Sequence, residues 1–171
     1  LINVLDELKI TYMISGSQAS TRYGEPRYTY DIDVIVDLKP ETVSAFASKF
    51  PEEDFYLSTD AIREAIKNRG QFNIIHPGSG NKIDVFIPKM TEYDIIQFQR
   101  RQKIPFMPGL EAYLARPEDV IIYKMIYFKE GGMDTHLRDI AGMLKISGDE
   151  IDQTYISEWA NKLKLKKIWE A

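Results

Sequence analysis

The sequence contains no cysteine. That single absence removes disulfide scaffolds, thiol nucleophiles and cysteine-ligated zinc or iron–sulfur centres. Histidine is nearly as scarce, with His76 and His136 far apart in the chain, so a histidine-rich metal site is disfavoured as well. Any divalent metal would have to be held by oxygen ligands, for which 26 acidic residues are available. No run approaches the roughly 18–20 apolar residues needed to span a membrane. No basic, apolar and small-residue leader pattern stands at the start. Both absences point to a cytoplasmic protein without a membrane partner. An excess of positive charge is missing too. Lys and Arg number 22 and the net charge is −4, which argues against a protein that coats nucleic acid over a broad basic surface. A local basic patch stays open. Internal repeats, low-complexity runs and proline-rich linkers are also absent.

What is present is one ordinary domain's worth of chain. Its 171 residues are 44% hydrophobic and 28% charged, the balance of a globular protein. Local patterns predict a mixture of helix and strand. A helix ends near residue 8, and Tyr12 to Ser15 is a short apolar strand that stops at Gly16-Ser17. A brief helix from Gln18 to Tyr23 is ended by Gly24, and Tyr28 to Val36 reads as a strand rich in β-branched and aromatic residues. Pro40 opens a helix to about Phe50. Phe55 to Leu57 is a short strand, and Thr59 or Asp60 caps a helix to Asn68. Phe72 to His76 and Lys82 to Ile87 are strands joined by a Pro-Gly-Ser-Gly-Asn turn. A helix from Thr91 to about Arg101 is followed by a loop holding Pro105, Pro108 and Gly109. Beyond Pro117 the chain reads as helix, in three segments from Glu118, Thr135 and Asp152. A soft boundary near residue 108 would separate a nucleotide-site α/β core, 1–108, from a helical region, 109–171, packed on it as one compact unit.

Chemistry concentrates in two places. Gly16-Ser17 ends an apolar strand, and Asp31-Ile32-Asp33-Val34 lies in the next one. Side chains alternate along a strand, so Asp31 and Asp33 share a face while Ile32 and Val34 turn to the core. Two carboxylates in that relation repel each other, and a divalent cation such as magnesium resolves the conflict. A third acid, Asp84, interrupts the otherwise apolar strand Ile83-Asp84-Val85-Phe86-Ile87, a position normally avoided unless the acid is paired or binds metal. If these strands are neighbours, three carboxylates converge, enough for two magnesium ions. A strand ending in Gly-Ser and entering a helix aims backbone N–H groups at an anion, and the Ser17 hydroxyl can add a bond. Arg27 and Thr29 share the parity of the two aspartates, and Arg27 could neutralise phosphate charge. Taken singly, Asp-x-Asp is also the mark of a solvated strand edge and Gly-Ser of a plain turn. Their combination with Asp84 is what favours a nucleotide and metal site.

The run Ile14-Ser15-Gly16-Ser17 … Arg27-Tyr28-Thr29-Tyr30-Asp31-Ile32-Asp33-Val34, with Asp84 following, resembles the signature of the DNA polymerase β-like nucleotidyltransferase superfamily. The segments Ala115-Arg116-Pro117-Glu118-Asp119-Val120-Ile121-Ile122-Tyr123-Lys124 and His136-Leu137-Arg138-Asp139-Ile140 resemble the helical part of bacterial abortive-infection (AbiEii-type) nucleotidyltransferase toxins and their relatives. This likeness covers nearly the whole chain. It implies an α+β fold: a mixed β-sheet core of the nucleotidyltransferase type, flanking helices and a C-terminal helical bundle. It also implies a nucleoside triphosphate substrate, two Mg2+ ions on Asp31, Asp33 and Asp84, a transfer RNA end as acceptor and an antitoxin protein as partner. A helix lysine and a later basic-acidic pair belong to the active site of such toxins, which maps onto Lys124 and onto Arg138 and Asp139. Two rivals stand beside this: an antibiotic-modifying nucleotidyltransferase of the aminoglycoside or lincosamide kind, and a non-catalytic partner-binding protein of the same fold.

The remaining candidates each have two readings. Lys124 lies in a mostly apolar helix, and either faces a cleft or snorkels to solvent. Arg138 and Asp139 are either site residues or a solvated helix face. His136 reads as a surface or capping residue beside the Gly131-Gly132 turn or as a residue that touches substrate, and His76 as structural. Tyr155 and Trp159, four apart, fit a packing stripe. Lys162, Lys164, Lys166 and Lys167 form the one basic cluster, either a solvated helix end or a grip on an RNA backbone.

Overall fold

Two strands fix the centre of the molecule. Tyr12–Ser15 (β1) is buried along its whole length, so it must have structure on both faces. Asp31–Val36 (β2) runs antiparallel to it, with Ser15 opposite Asp33 and Tyr12 opposite Val36. The computed structural model describes residues 1–26 and 31–171; Arg27 and Thr29 lie outside the described residues. Gln71–His76 (β3) and Asn81–Phe86 (β4) form the expected hairpin, and β4 adds to β2 in parallel.

The loop expected around Pro105 is instead a second hairpin. Gln102–Met107 (β5) and Leu110–Leu114 (β6) pair antiparallel, and β6 runs parallel to β1. The prolines suggested a loop, yet β5 is an edge strand, where a missing N–H costs no ladder bond. Its register also shifts between Pro105 and Met107, and Gly109 turns the chain at φ +74°. Residue 108 therefore falls inside a hairpin whose two strands belong to one sheet. The six strands run in the order β3-β4-β2-β1-β6-β5.

Helices cover both faces. Against one lie Ile2–Glu7 (α1), Val43–Ala47 (α3) and Thr59–Asn68 (α4), contributing Leu5, Phe46 and Ile62 to an apolar core with Val34 and Ile74. The helix expected from Pro40 is a short 3-10 turn followed by α3. The opposite face carries Gly16–Tyr23 (α2), Glu92–Arg100 (α5), Pro117–Gly131 (α6), Asp134–Ser147 (α7), Gln153–Lys162 (α8) and Lys166–Trp169 (α9). Their core holds Met13, Ile35, Ile121, Met125, Met143 and Trp159. The helix expected from Asp152 to about Lys164 is α8, capped by Asp152, and the short α9 follows it. The chain is a mixed α+β structure with a C-terminal helical pack, the class the sequence implied. Among the described residues no helix is long and apolar enough to cross a membrane.

Candidate nucleotide and metal site

The second face is not fully closed. A cleft of about 440 Å³ opens where α2 leaves β1, bounded by Ser15, Gly16, Ser17, Asp33, Lys124 and Tyr127 among others. It is continuous, through Ser17, Asp33 and His136, with an outer opening lined by Asp31, Arg138 and Asp139.

Strand register builds the acidic side. Asp33 and Asp84 are Cα partners across the parallel β2–β4 pair, so their side chains leave the same face of the sheet. Phe86, two residues beyond Asp84, and Ile35, two beyond Asp33, both line the cleft. Asp31 lies one step earlier on the same face, opposite Lys82. Lys82 Nζ lies 3.1 Å from Asp84 Oδ2 and 3.7 Å from Asp31 Oδ1. In their present positions, no three acidic or histidine side chains among the described residues stand close enough to hold a metal ion. The donor chemistry nevertheless suits magnesium, which takes oxygen ligands. An ammonium already attracted between two of the three carboxylates shows that this face favours a cation.

Asp33 is the most constrained of the three. Burial raises its carboxyl above the ordinary carboxylate value, the Ser17 backbone N–H it accepts opposes the rise, and Asp84 pushes it further while Lys124 pulls it back. The sequence suggested that the Ser17 N–H would face a phosphate; here it serves Asp33. Gly16 is what permits this approach. It sits at φ +61°, and a Cβ there would fall 1.9 Å from Asp33 Oδ2.

Lys124 does not snorkel. It is 3% exposed on α6, and its Nζ donates to Asp139 Oδ2 at 2.5 Å. Asp139 thus turns inward from α7 while Arg138 stays exposed at the outer opening, so the adjacent pair is split between two environments. The helix carrying Lys124 is anchored at its start. Asp119, fully buried, accepts from Tyr93 Oη at 2.9 Å, Tyr155 Oη at 2.9 Å and Arg100 Nε at 3.1 Å. Arg100 also reaches Glu118 at 2.7 Å and stacks on the Tyr155 ring. Tyr155 therefore bonds Asp119 as well as packing beside Trp159.

Sequence reasoning did not pick out the cleft's aromatic wall. Tyr123, Tyr127 and His136 all line it, and the Tyr127 and His136 rings lie 5.9 Å apart. Burial lifts the Tyr127 hydroxyl to about 12, so it stays protonated. The only available signal was spacing: Tyr123 and Tyr127 are one helical turn apart on the helix of Lys124. His136, at the start of α7, lines both the cleft and the outer opening. His76 is structural, its Nδ1 2.8 Å from Ser79 Oγ in the β3–β4 turn and its ring against Phe55.

By sequence, no family model and no curated protein matches the chain. By structure the chain is similar to several solved proteins, three of which follow. One is an antigenic nucleotidyltransferase-like protein from Paracoccidioides brasiliensis, with TM-score 0.55 and 19% identity over 99% of this chain and 88% of that one. Another is the antibiotic-resistance factor ANT(2'')-Ia, with TM-score 0.58 and 11% identity over 99% and 86%. The third is the lincosamide antibiotic adenylyltransferase LnuA in its lincomycin-bound form, with TM-score 0.55 and 12% identity over 85% and 92%. What is shared at these identities is the fold, which is of the nucleotidyltransferase type.

Proposed function

We propose that this protein is a magnesium-dependent nucleotidyltransferase that moves a nucleoside monophosphate from a nucleoside triphosphate to a hydroxyl acceptor and releases pyrophosphate. The observation that carries the reading is the register of β2 against β4, which sets Asp33 beside Asp84 on the face where Gly16-Ser17 and Lys124 meet. Asp31, Asp33 and Asp84 are the residues that would hold magnesium, two ions by resemblance; when bound, it supplies charge neutralisation and Lewis acidity at the transferring phosphate.

The chain's own groups have distinct tasks. Gly16 leaves room for the triphosphate and for Asp33 at one backbone corner. Ser17 contributes its hydroxyl to the phosphates. Lys124, oriented by Asp139, offsets their negative charge from the cleft floor, and Arg138 does so from the outer opening. Arg27 and Thr29 remain candidates from parity alone. Asp84 accepts the proton of the acceptor hydroxyl, whose oxygen bonds the α-phosphorus as the bond to the β-phosphate oxygen breaks. Tyr123, Tyr127 and His136 form an aromatic wall, its rings tilted against one another, suited to a nucleobase.

The acceptor in this reading is a transfer RNA end, with an antitoxin protein as the controlling partner. A second cleft of about 330 Å³ shares Phe86, Tyr123 and Tyr127 with the first and is also lined by Leu163. Lys162 and Lys164 flank Leu163 and are exposed, so an RNA backbone could be gripped there. The same cleft favours a second reading, a small hydroxylated molecule of the kind that ANT(2'')-Ia and LnuA are named for.

The test is incubation of the protein with each labelled nucleoside triphosphate and magnesium, with total RNA in one arm and hydroxylated antibiotics in another. Label on RNA that falls by about a thousandfold or more in Asp33→Asn is the expected result. Label on antibiotic alone selects the second reading. No transfer to any acceptor, in wild type and variant alike, overturns both.

A further inference from the structure

One cation already lies on the acidic face. Lys82 is the Cα partner of Asp31 across the β2–β4 pair and precedes Asp84 by two residues on the same face of β4. Its ammonium lies 3.1 Å from Asp84 Oδ2 and 3.7 Å from Asp31 Oδ1. The other oxygen of Asp84 is occupied too. Asn73, the Cα partner of Asp84 on β3, donates to Oδ1 at 2.6 Å when its amide nitrogen faces β4. Asp84 is therefore held on both carboxylate oxygens, one by an ammonium and one by an amide. Asp31 Oδ1 faces the same ammonium at 3.7 Å.

Like charges set side by side on neighbouring strands destabilise a sheet. Asp33 and Asp84 stand in that relation, and something must offset it in the bare protein. Lys82 does so from the rim. Its side chain is 37% exposed, so it can leave for water without dragging the core with it.

We propose that Lys82 is a resident counter-cation, which holds Asp31 and Asp84 in a metal-free arrangement and is displaced when a divalent ion binds. The inference rests on the magnesium-dependent reading above. The oxygens that Lys82 engages belong to two of the three residues assigned to the metal, and a dication placed among them repels an ammonium at this range. Lys82 thereby explains why the carboxylates share a face without forming a tight cluster. It stabilises the bare protein and weakens metal binding in equal measure, since one set of oxygens serves both cations.

The experiment is a Mn2+ titration followed by electron paramagnetic resonance of the free ion, on wild type, Lys82→Met, Lys82→Arg and Asp33→Asn. Lys82→Met is expected to bind Mn2+ about tenfold more tightly than wild type. It should also melt at a lower temperature in chelator and recover more on adding Mn2+. Lys82→Arg, which keeps the charge, should stay within about twofold of wild type, and Asp33→Asn should lose the site. Equal or weaker Mn2+ binding by Lys82→Met, with wild type binding normally, overturns the role of Lys82 alone. Folded wild type and Lys82→Met that both fail to bind Mn2+ overturn the metal-dependent reading with it. Should Lys82→Met fail to fold, the lysine side-chain resonances of wild type decide the matter, with Lys82→Arg identifying the signal. That signal should move toward the position of a free lysine on saturation with Mg2+, and an unmoved signal overturns the proposal.

Discussion

The two faces of the sheet are built on opposite principles. On the face covered by α1, α3 and α4, the buried side chains are Leu5, Phe46, Ile62, Val34, Ile74 and their apolar neighbours. On the other face, Ser15, Ser20, Asp94, Gln97, Glu118, Asp119 and Lys124 are buried as well, and they account for the buried polar and charged side chains among the described residues. The first face gains from burial alone, about 25 cal/mol for each Å² of apolar surface removed from water. The second gives up part of that gain, because a buried charge stabilises nothing unless it is paired. Its pairing is organised around one helix. Asp119 and Glu118 fix the start of α6 through Arg100, Tyr93 and Tyr155, and Lys124 is aimed from the next turns of that helix toward Asp139 and Asp33. The closed face makes the sheet rigid; the open face uses that rigidity to hold charges where a ligand can meet them.

The largest expected effect separates these roles. Phe46 is fully buried and packs against Phe50 and Phe72. Phe46→Ala should cost about 3–5 kcal/mol in chemical denaturation, while the fraction that stays folded binds Mn2+ as wild type does. Weakened Mn2+ binding by that folded fraction would mean that the two faces are not separable and would break the comparison.

A smaller effect is expected on the open face. Lys124→Met leaves Asp139 facing a cleft without its ammonium and should cost about 3 kcal/mol. Lys124→Met combined with Asp139→Leu replaces both charges with apolar groups and should recover most of that loss in denaturant melts. Nucleotidyl transfer should stay absent in both variants. A double variant no more stable than the single one would show that Asp139 answers to more than Lys124. Transfer restored in the double variant would remove Lys124 from the site.

How much of this was legible in the residues follows from range. Alternation along β2 and β4 placed Asp31, Asp33 and Asp84 on common faces because strand parity is local. That β2 and β4 are neighbours stood only as a condition, and that they run parallel was not legible, since pairing is set by the crossover through α3 and α4. Gly16 was legible as a turn residue, but its closeness to Asp33 was not; that contact depends on how β1 meets β2. Lys82 escaped notice because a lysine near a strand end is ordinary until its partner across the sheet is known. The β5–β6 hairpin was hidden by its prolines, which a chain tolerates only at an edge, and edges belong to the finished sheet. Tyr127 and His136 sit on two different helices, so no single-segment pattern could bring them together.

The smallest effect tests a polar anchor between α2 and the start of the helical region. Tyr23 Oη donates to the Ala115 carbonyl at 3.0 Å, tying the end of α2 to the chain that links β6 to α6. Tyr23→Phe keeps the ring and removes one hydrogen bond, so it should cost about 1 kcal/mol near neutral pH. The pH dependence carries the sharper signature. Burial lifts the Tyr23 hydroxyl from its ordinary value near 10 to about 12, so the folded chain keeps this proton where the unfolded chain releases it. The stability from that difference is fully present below pH 10 and is lost as the pH rises through about 12. Tyr12 and Tyr127 are raised in the same direction, so wild type and variant should both lose stability across this window. The loss should be shallower in Tyr23→Phe, and the two denaturation curves should draw together as the pH rises. Curves that stay parallel from pH 8 to pH 12 would mean that Tyr23 has no buried proton to lose, leaving the Ser147 hydroxyl on the Tyr23 carbonyl, at 2.6 Å, as the polar tie at this end of α2.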